Sequence, residues 1–392
     1  MEAENVIKVR EELQKRGLFI VEITPKGTGL KREVSLRDFL KLFSRGSKIT
    51  LKDLALFARQ MSTILEAGIT VLHGLTLVEK ESSNPALKSV VARIRIDVEN
   101  GASLADAMAR TKAFPPLFLG LVRTGEAVGK LDVVLSRLAQ FLERDLALLG
   151  KIRSSMIYPI FVLIFAVLVS WFLLVFVVPQ FASILTSIGG ELPLFTRFIL
   201  FVSNLLKFGT PPLVLLGIFG FLIHRRLYRL SAKYREEVDG RKLRLPLFGK
   251  IIRMSIMARF SRATALLIRG GVGVLEALSI VRGVVGNAVI EKALDKAYSA
   301  VSEGARFTDS LDQKVFPAML VSMASIGEEG GLLGEMLDKV ADHYERETEE
   351  LVTSLASLVE PLLIVFLGVV VGSIVIGMFL PLFKIIEVLS AQ

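Results

Sequence analysis

With 392 residues the chain is long enough for two or three domains. At 52% hydrophobic it is too apolar for an ordinary soluble protein, and at 22% charged it is too polar for a transporter lying mostly in lipid, so soluble lobes joined to a few membrane spans fit best. The net charge of +9 reads first as a topology and lipid-headgroup signal; no basic run is interleaved with aromatic residues, so membrane lipids are expected partners and nucleic acid is not. The lack of cysteine excludes disulfides, thiolate metal sites and cysteine nucleophiles.

In chain order, residues 1–49 read as a short cytoplasmic segment and linker. Residues 6–23 suggest a helix carrying Val9 and Leu13 that runs into a strand-like stretch at 18–23. Residues 24–48 are rich in glycine and lysine. The first thirty residues are charged and weakly apolar, so no cleavable signal peptide is expected there.

Residues 50–156 read as a helical lobe. Leu54, Phe57, Met61, Ile64 and Leu65 recur at three- and four-residue spacing and give one apolar face. Gly68 ends that helix as a left-handed cap, Asn84-Pro85 marks a turn, and Ser103 caps a further helix. Strand signals are weak, so an antiparallel bundle of five or six helices is predicted. Residues 157–178 carry no charge and are long enough to cross a bilayer as a helix.

An external segment is expected at 179–207, with an amphipathic helix from 193 to 208. A second span follows at 208–224, starting at Pro211-Pro212; one tilted span from 198 is the alternative. A basic cytoplasmic linker at 225–252 leads to a second lobe at 253–357, a third span at 358–383 and a short external tail at 384–392. Arginines and lysines flank the first span at 144–153 and the second at 225–235, while the segment between the spans has few. Both lobes and the N-terminus are therefore expected in the cytoplasm and the C-terminus outside.

The chain repeats itself. Residues 57–78 recur as 260–281 with 7 identities in 22 positions, and 125–144 recur as 327–346 with 8 in 20. Tyr158-Pro159 aligns with Glu360-Pro361, so each copy includes its membrane helix. The second span lies outside the repeat and returns the chain to the same side.

A search for chemistry finds little. The stretch from Gly125 to Leu131 has three residues between Gly125 and Gly129, where a phosphate loop needs four, and Leu131 follows Lys130 where Ser or Thr is needed to reach magnesium; a structural turn is the reading. His73, His224 and His343 stand in unrelated contexts, which argues against a zinc site. Glu126 and Glu328 each follow a glycine in what reads as the turn before a lobe's last helix; they either cap a helix or contact a partner. Acids such as Glu143 or Asp145 are candidates for calcium binding at an interface, without the spacing of an EF-hand. Glu360 stands at the mouth of the third span, where an ionisable group is either functional or simply interfacial ahead of Pro361. Gly368 and Gly372 form a GxxxG pair, which points to helix pairing or a homo-oligomer. No catalytic residue, cofactor or metal site is assigned.

The paired pattern resembles the type II secretion system F protein family. It consists of Arg59 with Gly68 and Arg262 with Gly271; then Gly125-Glu126 with Gly129 and Gly327-Glu328 with Gly331; then Pro159 and Glu360-Pro361 at the span entries. The resemblance covers about residues 50–385, and residues 6–23 also resemble the family's N-terminal segment, although the family has extra residues ahead of it. It implies an all-α membrane protein with two cytoplasmic six-helix domains and three transmembrane helices. It further implies an inner-membrane platform that is not an enzyme. Such a platform contacts a separate hexameric assembly or secretion ATPase and other machine components, and feeds pilin or pseudopilin subunits into a fibre. On that reading the thirteen matched residues are partner contacts or structural positions. The competing reading is a multi-pass permease or channel subunit, disfavoured because the spans lack internal charges.

Overall fold

The computed structural model describes residues 48–187, 192–246 and 248–390, and every regular element among them is a helix. The expectations for residues 6–23 and 24–47 lie outside the described residues.

The first repeat begins with a reciprocal cap. Thr50 accepts a hydrogen bond from the Asp53 amide, and the Asp53 carboxylate accepts one from the Thr50 amide, which starts α1 (Leu51–Glu66). There follow α2 (Val71–Glu81), α3 (Pro85–Glu99), α4 (Leu104–Thr111) and α5 (Pro116–Val128). Ser103 caps α4, as the sequence suggests, and Asn84, expected to mark a turn, also caps α3. Phe57, Phe114 and Phe118 pack together at the centre of this lobe, Phe114 and Phe118 edge to face and Phe57 tilted against both. Each is nearly or fully buried, and burying such a ring contributes roughly 1.5–3 kcal/mol.

The last helix of the lobe, α6 (Leu131–Phe172), does not stop at residue 156. It runs on as one 42-residue rod through Pro159 into the apolar segment, about 63 Å at 1.5 Å per residue. A π-helical turn at Leu173–Val177 joins it to α7 (Val178–Ser187). The Val178 amide reaches back to the Leu173 carbonyl. In the same register the Leu174 carbonyl would meet Pro179, which has no N–H; the hydroxyl of Ser203 donates to it instead. Residues 179–187 are thus helical where an external loop is expected.

The second crossing also departs from expectation. α8 (Leu194–Leu230) is one continuous helix, bent by 49° between Leu194–Thr210 and Pro212–Leu230. The bend falls at Pro211 and Pro212, where two successive residues have no N–H to donate to the helix ladder. The proline pair therefore kinks a helix rather than starting one. The expected basic linker is helical too: α9 (Ala232–Arg244) leads to α10 (Phe248–Arg269).

The second repeat continues with α11 (Val274–Val281), α12 (Ala288–Ser302), α13 (Phe307–Ser310), α14 (Ala318–Glu329) and α15 (Leu333–Ser390). α15 has 58 residues and, like α6, passes unbroken from the lobe into an apolar segment. Its backbone is helical to Ser390, through most of the expected tail.

The helices 131–184 and 333–380 are long and apolar enough to cross a membrane; bent α8 makes a third if it counts as one span. Among the apolar segments, Val178, Ile199 and Ile374 form a buried cluster, and Thr196 donates to the Gly377 carbonyl at 2.9 Å. A Cβ on Gly377 would lie 2.2 Å from Ile199, so glycine is what permits that approach. On the other side, the cores of the two lobes are continuous: a single buried cluster runs from Leu54 to Tyr344. α10 packs along α15, as α1 packs along α6, and α6 lies against α15.

A charged seam between the repeats as the candidate functional site

Arg59 on α1 and Glu143 on α6 form an ion pair, with Arg59 Nε donating to Glu143 Oε1 at 2.9 Å. The hydrogen bond from Arg59 holds the Glu143 carboxyl below its ordinary value. The repeat places the same pair in the second copy, where Arg262 Nε donates to Glu345 Oε1 at 3.1 Å. The two differ in burial and company. Arg59 is partly exposed, whereas Arg262 is 7% exposed and also pairs with Asp338 and Asp342. Burial alone would lower the Arg262 pKa, but the bonds to Glu345 and Asp342 outweigh it and raise it. The corresponding positions in the first copy are Ser136 and Gln140.

From this cluster a seam of charge runs between the copies. Arg144 on α6 reaches Asp342 on α15 at 3.3 Å, and Lys151 bonds to Glu349 two turns on. Both pairs span 198 residues, so α6 and α15 run side by side in one direction. Arg259 on α10 pairs with Asp145 at 3.1 Å, and Arg137 donates to the Arg269 carbonyl at 3.0 Å. A cavity of about 140 Å³ opens at the upper end, lined by Arg137, Arg144, Arg262, Arg269 and Asp338. Glu143 and Asp145, the sequence's calcium candidates, are thus both held by arginine.

The Gly-Glu pairs have a different task. Glu126 and Glu328 lie in the last turns of α5 and α14 rather than in a turn before the final helix. Each carboxylate reaches back to another helix start. Glu126 accepts from the Leu104 and Ala105 amides at 2.7 and 3.1 Å. Glu328 accepts from the Phe307 and Thr308 amides at 2.8 and 3.1 Å and from the Thr308 hydroxyl. Burial opposes ionisation of Glu328, yet the Thr308 hydroxyl and the two amides outweigh it and hold the carboxyl below its ordinary value. Both acids therefore cap, but they cap the helix before their own.

The glycines fit this geometry. Gly125 and Gly327 sit inside helices where a Cβ would lie 3.1 Å from Val134 and 2.8 Å from the Leu333 backbone. Gly129 and Gly331 each take φ +70°, and Gly68 and Gly271 also lie in the left-handed region, as helix ends require. In the supposed phosphate loop the Gly129 and Lys130 amides are bonded to the Glu126 and Gly125 carbonyls, which leaves neither free for an anion. Pro159 lies within α6, and Glu360 and Pro361 lie within α15. The structure thus draws Arg262 into the seam, keeps Arg59 at its edge, and leaves the Gly-Glu residues as joints inside each lobe.

Sequence reading missed Asp338 and Asp342, although the repeat holds the clue: these acids replace uncharged residues of the first copy. It also missed Asp239, which is 1% exposed on α9. That carboxylate accepts from the Tyr228 hydroxyl at 2.8 Å, Lys242 at 2.8 Å and the Ala288 amide at 3.1 Å, and so ties α8, α9 and α12 together.

Comparison with known proteins agrees with this duplicated plan. A family model described as type II secretion system (T2SS), protein F, matches residues 57–179 and 260–381, one match per repeat. The chain is 48% identical to the type IV pilus assembly protein PilC of Thermus thermophilus, over 100% of this chain and 95% of that protein. It is 36% identical to the PilC of Pseudomonas aeruginosa, over 96% and 98%. The type II secretion system protein F of the same organism is 33% identical over 98% and 94%. Repeat, helices and matched segments coincide, and the chain belongs to the type II secretion system protein F family.

Proposed function

We propose that this chain is an inner-membrane platform protein of a type IV pilus or type II secretion machine. It couples a separate cytoplasmic assembly ATPase to the insertion of pilin or pseudopilin subunits into a fibre. The observation that carries the reading is the continuity of α6 and α15 from the charged seam into the apolar segments. A rigid helix transmits displacement of one end to the other, so a partner that shifts the lobes against each other also shifts the spans. The chemistry asked of the chain is mechanical, and the reading assigns it no catalytic residue.

The packing supports a three-span topology. The two lobes share one core, so they lie on one side of the membrane, and the chain between them must cross an even number of times. If α6–α7 is one crossing, bent α8 is the other, and α15 makes three. Each repeat then supplies six helices, the last of them extended as a span. Arg225, Arg226 and Arg229 at the end of α8 support a cytoplasmic location for the lobes and the N-terminus, with the C-terminus outside. Names of both kinds occur among the relatives; the higher identity with a pilus assembly protein favours the pilus machine.

The permease reading finds less support. Several polar side chains in the apolar segments are engaged within the bundle, Thr196 with Gly377, Ser203 with Leu174, and Trp171 with Thr210 at 3.3 Å, while the buried Ser170 hydroxyl has no partner among the described residues. The test is reconstitution. Purified protein in nanodiscs is expected to turn over no ATP, to retain the machine's purified ATPase, and to change its turnover. ATP hydrolysis by the protein alone, or failure to retain the ATPase, would sink the proposal.

A further inference from the structure

The segment between the bent helix and the second lobe, outside the matched repeat, helps to build a hollow of about 650 Å³. Five cations converge on it from three parts of the chain. Lys233, Arg241 and Arg244 come from α9, Arg253 from α10, and Lys314 from the loop after α13. Only Glu236 and Glu237 oppose them, and both are already engaged, with Lys292 and Arg241 respectively. Among the described residues Lys233, Arg244, Arg253 and Lys314 have no carboxylate partner. Apolar side chains, Leu243 and Val315 among them, complete the lining.

Uncompensated cations drawn together repel one another, and a bound anion relieves that repulsion in the folded state alone, which stabilises it. Concave shape, apolar lining and several fork-shaped donors match a phosphate with an apolar body attached. The wall is fixed in advance: Asp239 bonds to Tyr228, Lys242 and the Ala288 amide and so locks α9 onto α12.

We infer that the hollow between α9, α10 and the loop after α13 is a binding site for a phosphate-bearing anion, either a lipid headgroup or a soluble nucleotide. The inference does not rest on the platform reading, and its failure would leave that reading untouched.

The test uses the full chain in nanodiscs. One arm compares melting temperature in phosphatidylglycerol and phosphatidylcholine discs. The other titrates ATP and inorganic pyrophosphate into phosphatidylcholine discs by calorimetry. Each is run on the native protein, on Lys314→Gln, on the triple variant Arg244→Gln/Arg253→Gln/Lys314→Gln, and on Lys52→Gln/Lys88→Gln/Lys296→Gln, which removes the same charge from exposed positions elsewhere. Stabilisation by phosphatidylglycerol that the triple variant loses identifies a lipid headgroup. A calorimetric isotherm that weakens at least tenfold in the triple variant identifies a soluble anion. Lys314→Gln alone should weaken either signal in the same direction, which guards against misfolding of the triple variant. No signal in either arm, an equal signal in native and triple-variant protein, or an equal loss in the control variant would overturn the inference.

Discussion

Replacing Arg262 by glutamine should cost far more than the same change at Arg59, although the repeat makes the two residues equivalents. Around Arg262, three cations (Arg144, Arg262, Arg269) face three carboxylates (Asp338, Asp342, Glu345), and Arg262 alone touches all three. Arg262→Gln leaves two more exposed cations to hold three clustered acids next to the shared core. Removing one partner of a buried ion pair costs about 3–5 kcal/mol, because the other is left without compensation. Arg59→Gln breaks one pair whose side chains are 38% and 46% exposed, for which ~1 kcal/mol is an upper figure. For a cooperative unit the size of both lobes, each kcal/mol moves the melting temperature by roughly 2–4 °C. The Arg262 variant should therefore melt about 6–20 °C lower and the Arg59 variant no more than about 4 °C lower. Scanning calorimetry on both proteins in the same neutral nanodiscs measures this. Equal shifts would refute the argument that burial and the extra acids of the second copy make this the stronger joint. Restoring the residues of the first copy, Asp338→Ser with Asp342→Gln, should recover part of the stability lost in Arg262→Gln.

Four further outcomes follow from the same geometry. Glu328→Ala leaves the Phe307 and Thr308 amides without their acceptor and should cost about 1–2 kcal/mol, read as a lower denaturation midpoint, with Glu126→Ala similar in the first lobe. The carboxyls of Glu143 and Glu328 are both held below their ordinary value of 4.5, so their contribution is complete above that pH and is lost as pH falls through the folded values. Thermal stability should accordingly be flat in these groups near neutrality and fall in acid, less steeply in Glu328→Gln. Gly327→Ala should destabilise by about 1–3 kcal/mol despite alanine's better helix propensity, because its Cβ would lie 2.8 Å from the Leu333 backbone; Gly125→Ala should cost less, since its nearest contacts, Val134 at 3.1 Å and the Leu131 backbone at 3.3 Å, are looser. Single cysteines in this cysteine-free chain test the topology: Ser187→Cys should react with an impermeant maleimide from outside intact inner membranes, and Ser89→Cys should not. Ser89 is a better inner probe than Ser103, whose hydroxyl caps α4.

The duplication was the most legible feature of the sequence, because each copy keeps the residues that backbone geometry demands. Gly68 with Gly271 and Gly129 with Gly331 are left-handed helix ends, and those need glycine in both lobes. The roles of the acids were harder to read. Glu126 and Glu328 were visible as capping candidates, but the helix each caps lies about twenty residues earlier, a contact that local spacing does not encode. Helix continuity was also hidden. Pro159 and Pro211 are ordinary break signals, yet α6 absorbs its proline and α8 bends at its pair, because apolar surroundings offer no better partner for the backbone than the helix itself. The seam was half visible: Arg59 and Arg262 stood out in the repeat, while Asp338 and Asp342 belong to one copy and gain meaning only when α6 and α15 lie side by side.

The central claim is that rigid helices carry movement from the lobes into the membrane, and breaking one of those helices tests it. Four glycines inserted after Glu350 interrupt α15 beyond the seam, and the same insertion after Ser83 enlarges an exposed loop of the first lobe as a control. Fibre assembly is then scored in cells whose only copy is the variant. The account predicts that the α15 insertion retains the partner ATPase yet abolishes fibres, while the control assembles them. Normal fibres from the interrupted helix would contradict it.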